Sequence, residues 1–266
     1  MANKFYDSGA RRADKVGELF ARIAPRYDLI NDLQSFGLHR RWKRHLVKLA
    51  RGRPGERALD VCCGTGDLAL GLARKGLDVV GLDFSEPMLE IARHRAGRLQ
   101  RGGAVVSNSE TIRSGQRTAP PAASAQAVPG GLQFLHGDAQ RLPFNDCTFG
   151  IVTVGYGLRN LADWKQGVRE MHRVATRGGR LLVLDFGKPE NRLWRAVYFS
   201  YLRLFVPLLG LVFCGDASAY AYILESLLHY PAQQGVADYM RQLGLARVDV
   251  VDFLGGVMSI NYGEKV

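Results

Sequence analysis

The octapeptide Asp60-Val61-Cys62-Cys63-Gly64-Thr65-Gly66-Asp67 limits the folds open to this chain more than any other segment. Ala58 to Cys62 reads as a short buried strand, Gly64-Thr65-Gly66 as a tight turn, and Asp67 to Arg74 as the opening of a helix. A second apolar strand, Val79 to Leu82, ends on Asp83 within Gly81-Leu82-Asp83-Phe84. Strand, glycine turn, helix, strand and acid make the unit of a Rossmann-like nucleotide site. There the glycines let the backbone approach the ligand, and the acid accepts hydrogen bonds from ribose hydroxyls. The expected fold class is α/β with a mostly parallel sheet.

The glycines do not space as G-x-G-x-x-G, and neither a pyrophosphate cradle nor the lysine of a P-loop is visible. A ligand without phosphates fits better. S-adenosylmethionine, with its ribose, amino acid end and sulfonium, suits a G-x-G turn preceded by Asp60 and followed by Asp83. The alternative is a glycine turn in an unrelated βαβ unit, and the placing of Asp83 weighs against it.

A chain of 266 residues, 47% hydrophobic, accommodates one large domain or a domain with an appendage. The four cysteines, at 62, 63, 147 and 214, form no C-x-x-C pair, and the adjacent side chains of Cys62 and Cys63 diverge. No metal site and no disulfide are expected, and the setting is a reduced, cytoplasmic one. The first residues, Met1 to Asp7, carry no apolar signal core. The most apolar stretch, Trp194 to Phe213, is interrupted by Arg195, Arg203 and Pro207. Its charge-free part, Leu204 to Phe213, is too short to span a bilayer as a helix, which leaves a core helix or a membrane-surface segment. Net charge is +11, and much of it is local. Arg40, Arg41, Lys43, Arg44, Lys48, Arg51, Arg53 and Arg57 share their stretch with one acid, Glu56. Leu38, Trp42, Leu46, Leu49 and Ala50 repeat there at helical spacing, so the bases occupy the polar side of an amphipathic helix. That side suits RNA, anionic lipid or plain solvent.

Along the chain, residues 1–35 read as an irregular or short-helical lead-in, followed by the basic helix at 37–50. The alternation then runs strand 57–62, helix 67–75 and strand 78–83, with Ser85 capping a helix that tolerates Pro87 in its first turn. Residues 101–130, rich in Gly, Ser, Pro and Ala, have little to bury and read as a flexible surface insertion. Strand Leu132 to His136 leads into Gly137-Asp138-Ala139. Strand Phe149 to Val154 leads into Gly155-Tyr156-Gly157-Leu158-Arg159-Asn160. Asp163 caps a helix that Gly178-Gly179 ends, and Arg180 to Phe186 forms another buried strand. Residues 190–230 read as a helical lid, Ala232 to Leu243 as a helix, and Val248 to Tyr262 as a hairpin turning on Gly255-Gly256. The expected organisation is an N-terminal basic helical segment at 1–56 and a ligand-binding α/β domain at 57–266, closed by an antiparallel hairpin.

Assembled in order, these residues resemble the ubiquinone/menaquinone biosynthesis C-methyltransferase family. Beyond the two glycine-turn motifs, the resemblance is carried by Gly37-Leu38-His39-Arg40-Arg41-Trp42-Lys43, Ser85-Glu86-Pro87-Met88-Leu89, Gly137-Asp138-Ala139, Leu142-Pro143-Phe144 and Gly178 to Phe186. Tyr156-Gly157-Leu158-Arg159-Asn160 is the most specific of its motifs. Cys62-Cys63 and Val154-Gly155-Tyr156-Gly157 look more like the branch acting on naphthoquinols. The 101–130 insertion departs from the family pattern. The resemblance implies a class I, Rossmann-like methyltransferase fold and S-adenosylmethionine as cofactor. It also implies methyl transfer to a ring carbon of a prenylated quinol, with demethylmenaquinol as the expected substrate and a quinol of the ubiquinone or phylloquinone pathway as the alternative. By the same carry-over Gly64, Thr65 and Gly66 hold the amino acid end of S-adenosylmethionine, Asp83 the ribose, Asp138 and Ala139 the adenine, and Gly155 lies in the same site. Cys62 stands where many methyltransferases have glycine.

A ring carbon beside a phenolic oxygen becomes nucleophilic when that oxygen loses its proton, and a dry, oriented site then favours transfer. Arg159, permanently protonated, is expected to stabilise the developing phenolate, or else to pair with Asp163. Tyr156 is expected to orient the ring or to pack. The proton acceptor has no candidate: His172 reads as structural or exposed, and His39 and His45 on the basic helix reach toward a lipid or the pocket mouth without a role of their own. A prenylated substrate also requires a lipid-facing entrance. The segment 194–213 provides for one, with Arg195 and Arg203 at headgroup level, on a peripheral protein at the inner face of an anionic membrane. Two rivals predict other behaviour. An RNA methyltransferase would use the basic helix, though neither a Pro-Cys nor a [DN]-P-P-[YF] motif is present and no nucleic acid partner is expected. A non-catalytic scaffold of methyltransferase fold would not need Gly64 to Gly66 and Asp83. Nothing in the sequence indicates an oligomeric state.

Overall fold

The computed structural model describes residues 12–102, 131–215 and 217–266. All of the expected insertion beyond residue 102 lies outside the described residues, as do the first eleven residues of the N-terminal segment. Seven strands form one sheet: β1 (Arg57–Val61), β2 (Asp78–Asp83), β3 (Leu132–His136), β4 (Phe149–Gly155), β5 (Ala175–Phe186), β6 (Leu245–Phe253) and β7 (Met258–Lys265). Their spatial order is β3-β2-β1-β4-β5-β7-β6. The first five are parallel, and β7 inserts antiparallel between β5 and β6. The chain runs from β1 outward through β2 and β3, then returns to the other side of β1 for β4. A crevice therefore opens at the carboxyl ends of β1 and β4, where ligands bind in sheets of this kind.

Central strands read as apolar because both faces are covered. On one face Leu59, Val152, Val154 and Val183 pack with helix α6 (Trp164–Val174), helix α9 (Ala232–Gln242) and the lid helices α7 (Arg192–Cys214) and α8 (Ala217–His229). On the other, Ala58, Val79 and Ile151 pack with helices α3 (Leu38–Leu49), α4 (Asp67–Ala73) and α5 (Glu86–Gly102). Helix α6 is capped as its sequence implies, the Asp163 carboxylate accepting the Gln166 amide at 3.0 Å.

Three details differ from the sequence reading. The lead-in is helical throughout its described part: α1 (Arg12–Ile23) is followed by a short 3-10 turn and α2 (Tyr27–Ser35). Leu19, Ile23 and Ile30 are buried in the same core as Leu82, Met88 and Leu158, so these helices belong to the main body and residue 56 marks no separate core. Gly178-Gly179 does not end a helix. Helix α6 stops at Val174, and the glycines sit in a bulge of β5, where the register with β4 slips between Phe149 and Ile151. The terminal hairpin closes on four residues, Leu254 to Val257, rather than two. The last pair is Phe253 with Met258, and three consecutive positive φ angles lie at Leu254, Gly255 and Gly256.

Candidate functional site

The strand ends build a cleft. Cys62 and Gly64 after β1, Asp83 at the end of β2, Gly137-Asp138-Ala139 after β3, and Gly155-Tyr156-Gly157 after β4 all line it. Helix α1 roofs it with Val16, Gly17 and Phe20. The turn is shaped by backbone: Cys62 takes φ +52° and Gly64 φ +55°. A Cβ at Gly64 would meet nothing within 4 Å, so the missing side chain leaves cleft space for a ligand. Asp83 is fixed by two backbone donors, Gly64 N at 2.7 Å and Ser85 N at 2.8 Å, which leaves its remaining lone pairs for a diol. Burial pushes its carboxyl above the usual range, opposed by the Ser85 and Gly64 amides. Asp138 stands exposed at the rim, accepting from the Gln140 amide at 2.8 Å, and Ala139 is buried beside it. Gly66 differs from its expected role. With φ +85° it starts α4 and faces Phe134 and Ala92, so it shapes the turn without lining the cleft.

A polar extension leaves the cleft under Tyr27 and Tyr156, lined by Lys43, Asp60, Thr65 and Asp67. Asp60 accepts from Ala69 N at 3.0 Å and from the Thr153 hydroxyl at 2.8 Å. Burial drives its carboxyl up to about 7, against the pull of Thr153 and Ala69. Lys43 bonds Asp67 at 2.7 Å, and Arg95 ties Asp67 (3.0 Å) to Asp28. The Thr65 hydroxyl is engaged with Asp28 at 3.1 Å. These residues fit S-adenosylmethionine: a carboxylate for the ribose, an apolar bed for the base, and an extension carrying both signs of charge for a zwitterionic amino acid end. Arg40 and Lys43 are each paired with an acid, so the basic helix is partly neutralised from within.

A second cavity, of about 260 Å³, lies on the far side of Tyr156. Its walls are mostly apolar: Leu38, Trp42, Phe186, Tyr198, Leu202 and Met258 among them. Its mouth is framed by Phe36, Trp194, Val197 and Leu254, which are 76%, 41%, 51% and 54% exposed. Tyr156, at φ +62°, is the aromatic wall that the cleft and this cavity share. Buried polar atoms without partners belong to four side chains of this cavity: Asn31 Nδ2, Gln34 Oε1, His39 Nδ1 and the Tyr156 hydroxyl. Burial also pushes the Tyr156 hydroxyl well above the usual phenol value.

Arg159 lines neither cavity directly. Its guanidinium bonds Asp185 at 2.9 Å and the Tyr156 carbonyl at 2.6 Å, and packs 4.6 Å from the centre of the Phe186 ring. The carboxylate that pairs with it is Asp185 on the adjacent strand, not Asp163, which caps α6 and meets Arg169. Arg159 Nε has no partner. Sequence reasoning missed α1 as a roof, and Asn31 and Gln34 as cavity residues; it set His39 near a pocket mouth but gave it no role. The apolar spacing of Val16, Leu19, Phe20 and Ile23 carried the first signal; nothing local carried the second.

Known proteins resemble this chain in sequence and in fold. The family model described as the ubiE/COQ5 methyltransferase family matches residues 9–265. The ubiquinone/menaquinone biosynthesis C-methyltransferase UbiE of Ectopseudomonas mendocina is 37% identical over 263 residues, covering 96% of this chain and 91% of that protein. The protein of the same name from Azotobacter vinelandii is 37% identical over 259 residues, with 96% and 92% covered. Among solved structures, a Thermotoga maritima S-adenosylmethionine-dependent methyltransferase, described as a possible histamine N-methyltransferase, superposes with a TM-score of 0.60. It is 18% identical, with 94% of this chain and 99% of that one covered, and the likeness concerns the fold.

Proposed function

The chain belongs to the ubiE/COQ5 methyltransferase family, and from that premise we propose that it methylates a ring carbon of a prenylated quinol, with demethylmenaquinol as its substrate. The observation that carries the reading is the pair of cavities meeting at Tyr156. One is a polar-ended cleft suited to S-adenosylmethionine. The other is an apolar cavity with a few unpartnered polar atoms and an apolar mouth. S-adenosylmethionine, when bound, supplies an electrophilic methyl group on sulfur. Asp83 holds the ribose, Asp138 and Ala139 border the adenine, and Gly64, Thr65 and Gly155 surround the amino acid end. Tyr156 orients the quinol ring between the two cavities. Arg159 fixes the Tyr156 carbonyl and keeps one N–H free, and its positive charge favours the developing phenolate. The naphthoquinol preference rests on the resemblance of Cys62-Cys63 and Val154 to Gly157 to that branch.

The tail leaves by the mouth. Tyr198, Leu202 and Val206 bury one side of α7, and Val197, Leu204, Leu208, Leu211 and Val212 expose the other. Helix α7 is long and apolar enough to cross a membrane, the one such helix among the described residues. Its buried side packs against the protein core, which favours lying in the headgroup region of the inner membrane face.

The test is transfer of labelled methyl from S-adenosylmethionine to detergent-solubilised demethylmenaquinone, with and without a reductant. Labelling that depends on reduction is expected. Absence of labelling from a protein that binds S-adenosylmethionine refutes the naphthoquinol assignment, and labelling of a benzoquinol in its place moves the enzyme to the other branch.

A further inference from the structure

We propose that His39 is the base that takes the proton from the ring hydroxyl, held in its accepting tautomer by Asp32. The inference deepens the quinol reading above and rests on it. His39 is 3% exposed and lines the second cavity. Its Nε2 lies 2.7 Å from Asp32 Oδ1. Asp32 also accepts the Arg40 Nε–H at 2.8 Å and a second N–H of the same guanidinium, which keeps it ionised. An ionised carboxylate can only accept, so the imidazole proton is placed on Nε2 and the lone pair on Nδ1. Nδ1 is buried and has no partner among the described residues. A histidine that lines a substrate cavity, with one nitrogen fixed by a carboxylate and the other unpartnered, has the arrangement of a general base.

The rest of the cavity fits the same substrate. Gln34 Oε1 and His39 Nδ1 lack donors, Asn31 Nδ2 lacks an acceptor, and the Tyr156 hydroxyl lacks both. A ring bearing two hydroxyls brings two donors and two acceptors to these four atoms. Burial, then the charge of Lys43, holds His39 below the ordinary histidine value, against the pull of Asp32 and Asp67. It is therefore neutral, and able to accept, at pH 7. In the step itself the hydroxyl O–H bond breaks toward Nδ1. The ring carbon bonds the methyl group as the carbon–sulfur bond breaks, its electron pair remaining on sulfur. The ring proton of the methylated carbon then leaves to water, the imidazolium returns its proton to the ring oxygen, and one proton is released overall.

His39→Gln keeps a donor for Asp32 and removes the Nδ1 base. It should lower kcat by about 10²- to 10⁴-fold, the usual worth of a positioned base, with the affinity for S-adenosylmethionine within twofold of wild type. The wild-type pH profile of kcat should rise through a value below 6.5, and the variant should lose that limb. Asp32→Asn, a change at a positioning residue, should move the limb to lower pH. Added imidazole should restore part of the activity of His39→Ala. The proposal is overturned if His39→Gln keeps kcat within threefold of wild type with the same limb. It is equally overturned if a folded, cofactor-binding His39→Ala loses activity that imidazole does not restore. Failure of the wild type to methylate any quinol would refute the function reading itself, and that outcome is distinct from both.

Discussion

Asp185→Ala tests whether the pair beneath Tyr156 supports the site. Arg159 and Asp185 are 6% and 3% exposed, and their side chains meet at 2.9 Å. Asp185 also accepts the Arg159 backbone amide at 3.2 Å and the Phe186 amide at 2.9 Å. Removing it leaves a guanidinium that cannot deprotonate, facing one carbonyl and one aromatic ring. Stranding one partner of a buried pair costs about 3–5 kcal/mol. At about 2–4 °C per kcal/mol for a domain of this size, Tm should fall by roughly 6–20 °C. The reverse change, Arg159→Met, should cost less. Burial already pushes the Asp185 carboxyl above its usual value despite Arg159, so it can take a proton once its partner is gone. The double variant Asp185→Ala/Arg159→Met should then be more stable than Asp185→Ala alone. Urea unfolding followed by the fluorescence of the three tryptophans measures all four proteins. The reasoning is refuted if Asp185→Ala lies within about 1 kcal/mol of wild type, well under the cost of an uncompensated buried charge.

Other changes probe the remaining parts. Asp83→Ala removes the acceptor proposed for the ribose hydroxyls, a loss of about 1.5–3 kcal/mol if that role holds, and calorimetry should show S-adenosylmethionine bound about ten- to a hundredfold more weakly. Gly157→Ala would set a methyl group 2.3 Å from Cys62 Cβ and should cost about 1–3 kcal/mol. Cys62→Gly in the same chain should recover most of that, and a double variant no more stable than the single would disprove the clash. Burial pushes His39 and His172 below the histidine value of 6.5. Between their folded and unfolded values the unfolded chain binds more protons than the native one, so the histidines' contribution is full above 6.5 and falls as pH is lowered beneath it, while Asp60, pushed up to about 7, contributes with the opposite sign. Comparing the wild type with His172→Gln isolates the histidine part. A His172→Gln variant whose unfolding midpoint follows that of the wild type in parallel from pH 7.5 to 5.5 would contradict this. Leu204→Glu with Leu208→Glu should abolish flotation with anionic vesicles while leaving Tm nearly unchanged, since both side chains are exposed; unaltered flotation would remove α7 as the lipid contact.

The alternation from Arg57 to Asp83 was legible because its signals are local: apolar runs of strand length, a glycine turn, and an acid at a strand end. Where a feature depended on distant partners, proximity in sequence misled. Asp163 is four residues from Arg159, yet Asp185 pairs with it because β5 lies beside β4 and brings the strand ends together. The glycines at 178 and 179 carry a helix-stop signal, but the same backbone freedom serves a bulge in a strand. His39 looked like one more polar residue of a basic helix. Phe36 and Gly37, at φ +51° and +74°, turn α3 back on α2 and bring Asp32 to its ring. No window of the sequence shows that turn in three dimensions.

The exposed side of α7 adjoins the rim of the second cavity, where the Trp194 indole donates to the Leu254 carbonyl at 2.8 Å. On the proposed reading, a substrate drawn through that rim is dissolved in a lipid layer, so its supply is counted per unit of surface rather than per litre. Diluting the quinol with inert lipid at constant bulk concentration should therefore slow turnover, and adding buffer should not. On that reading the bilayer is both the reservoir and the unit of concentration.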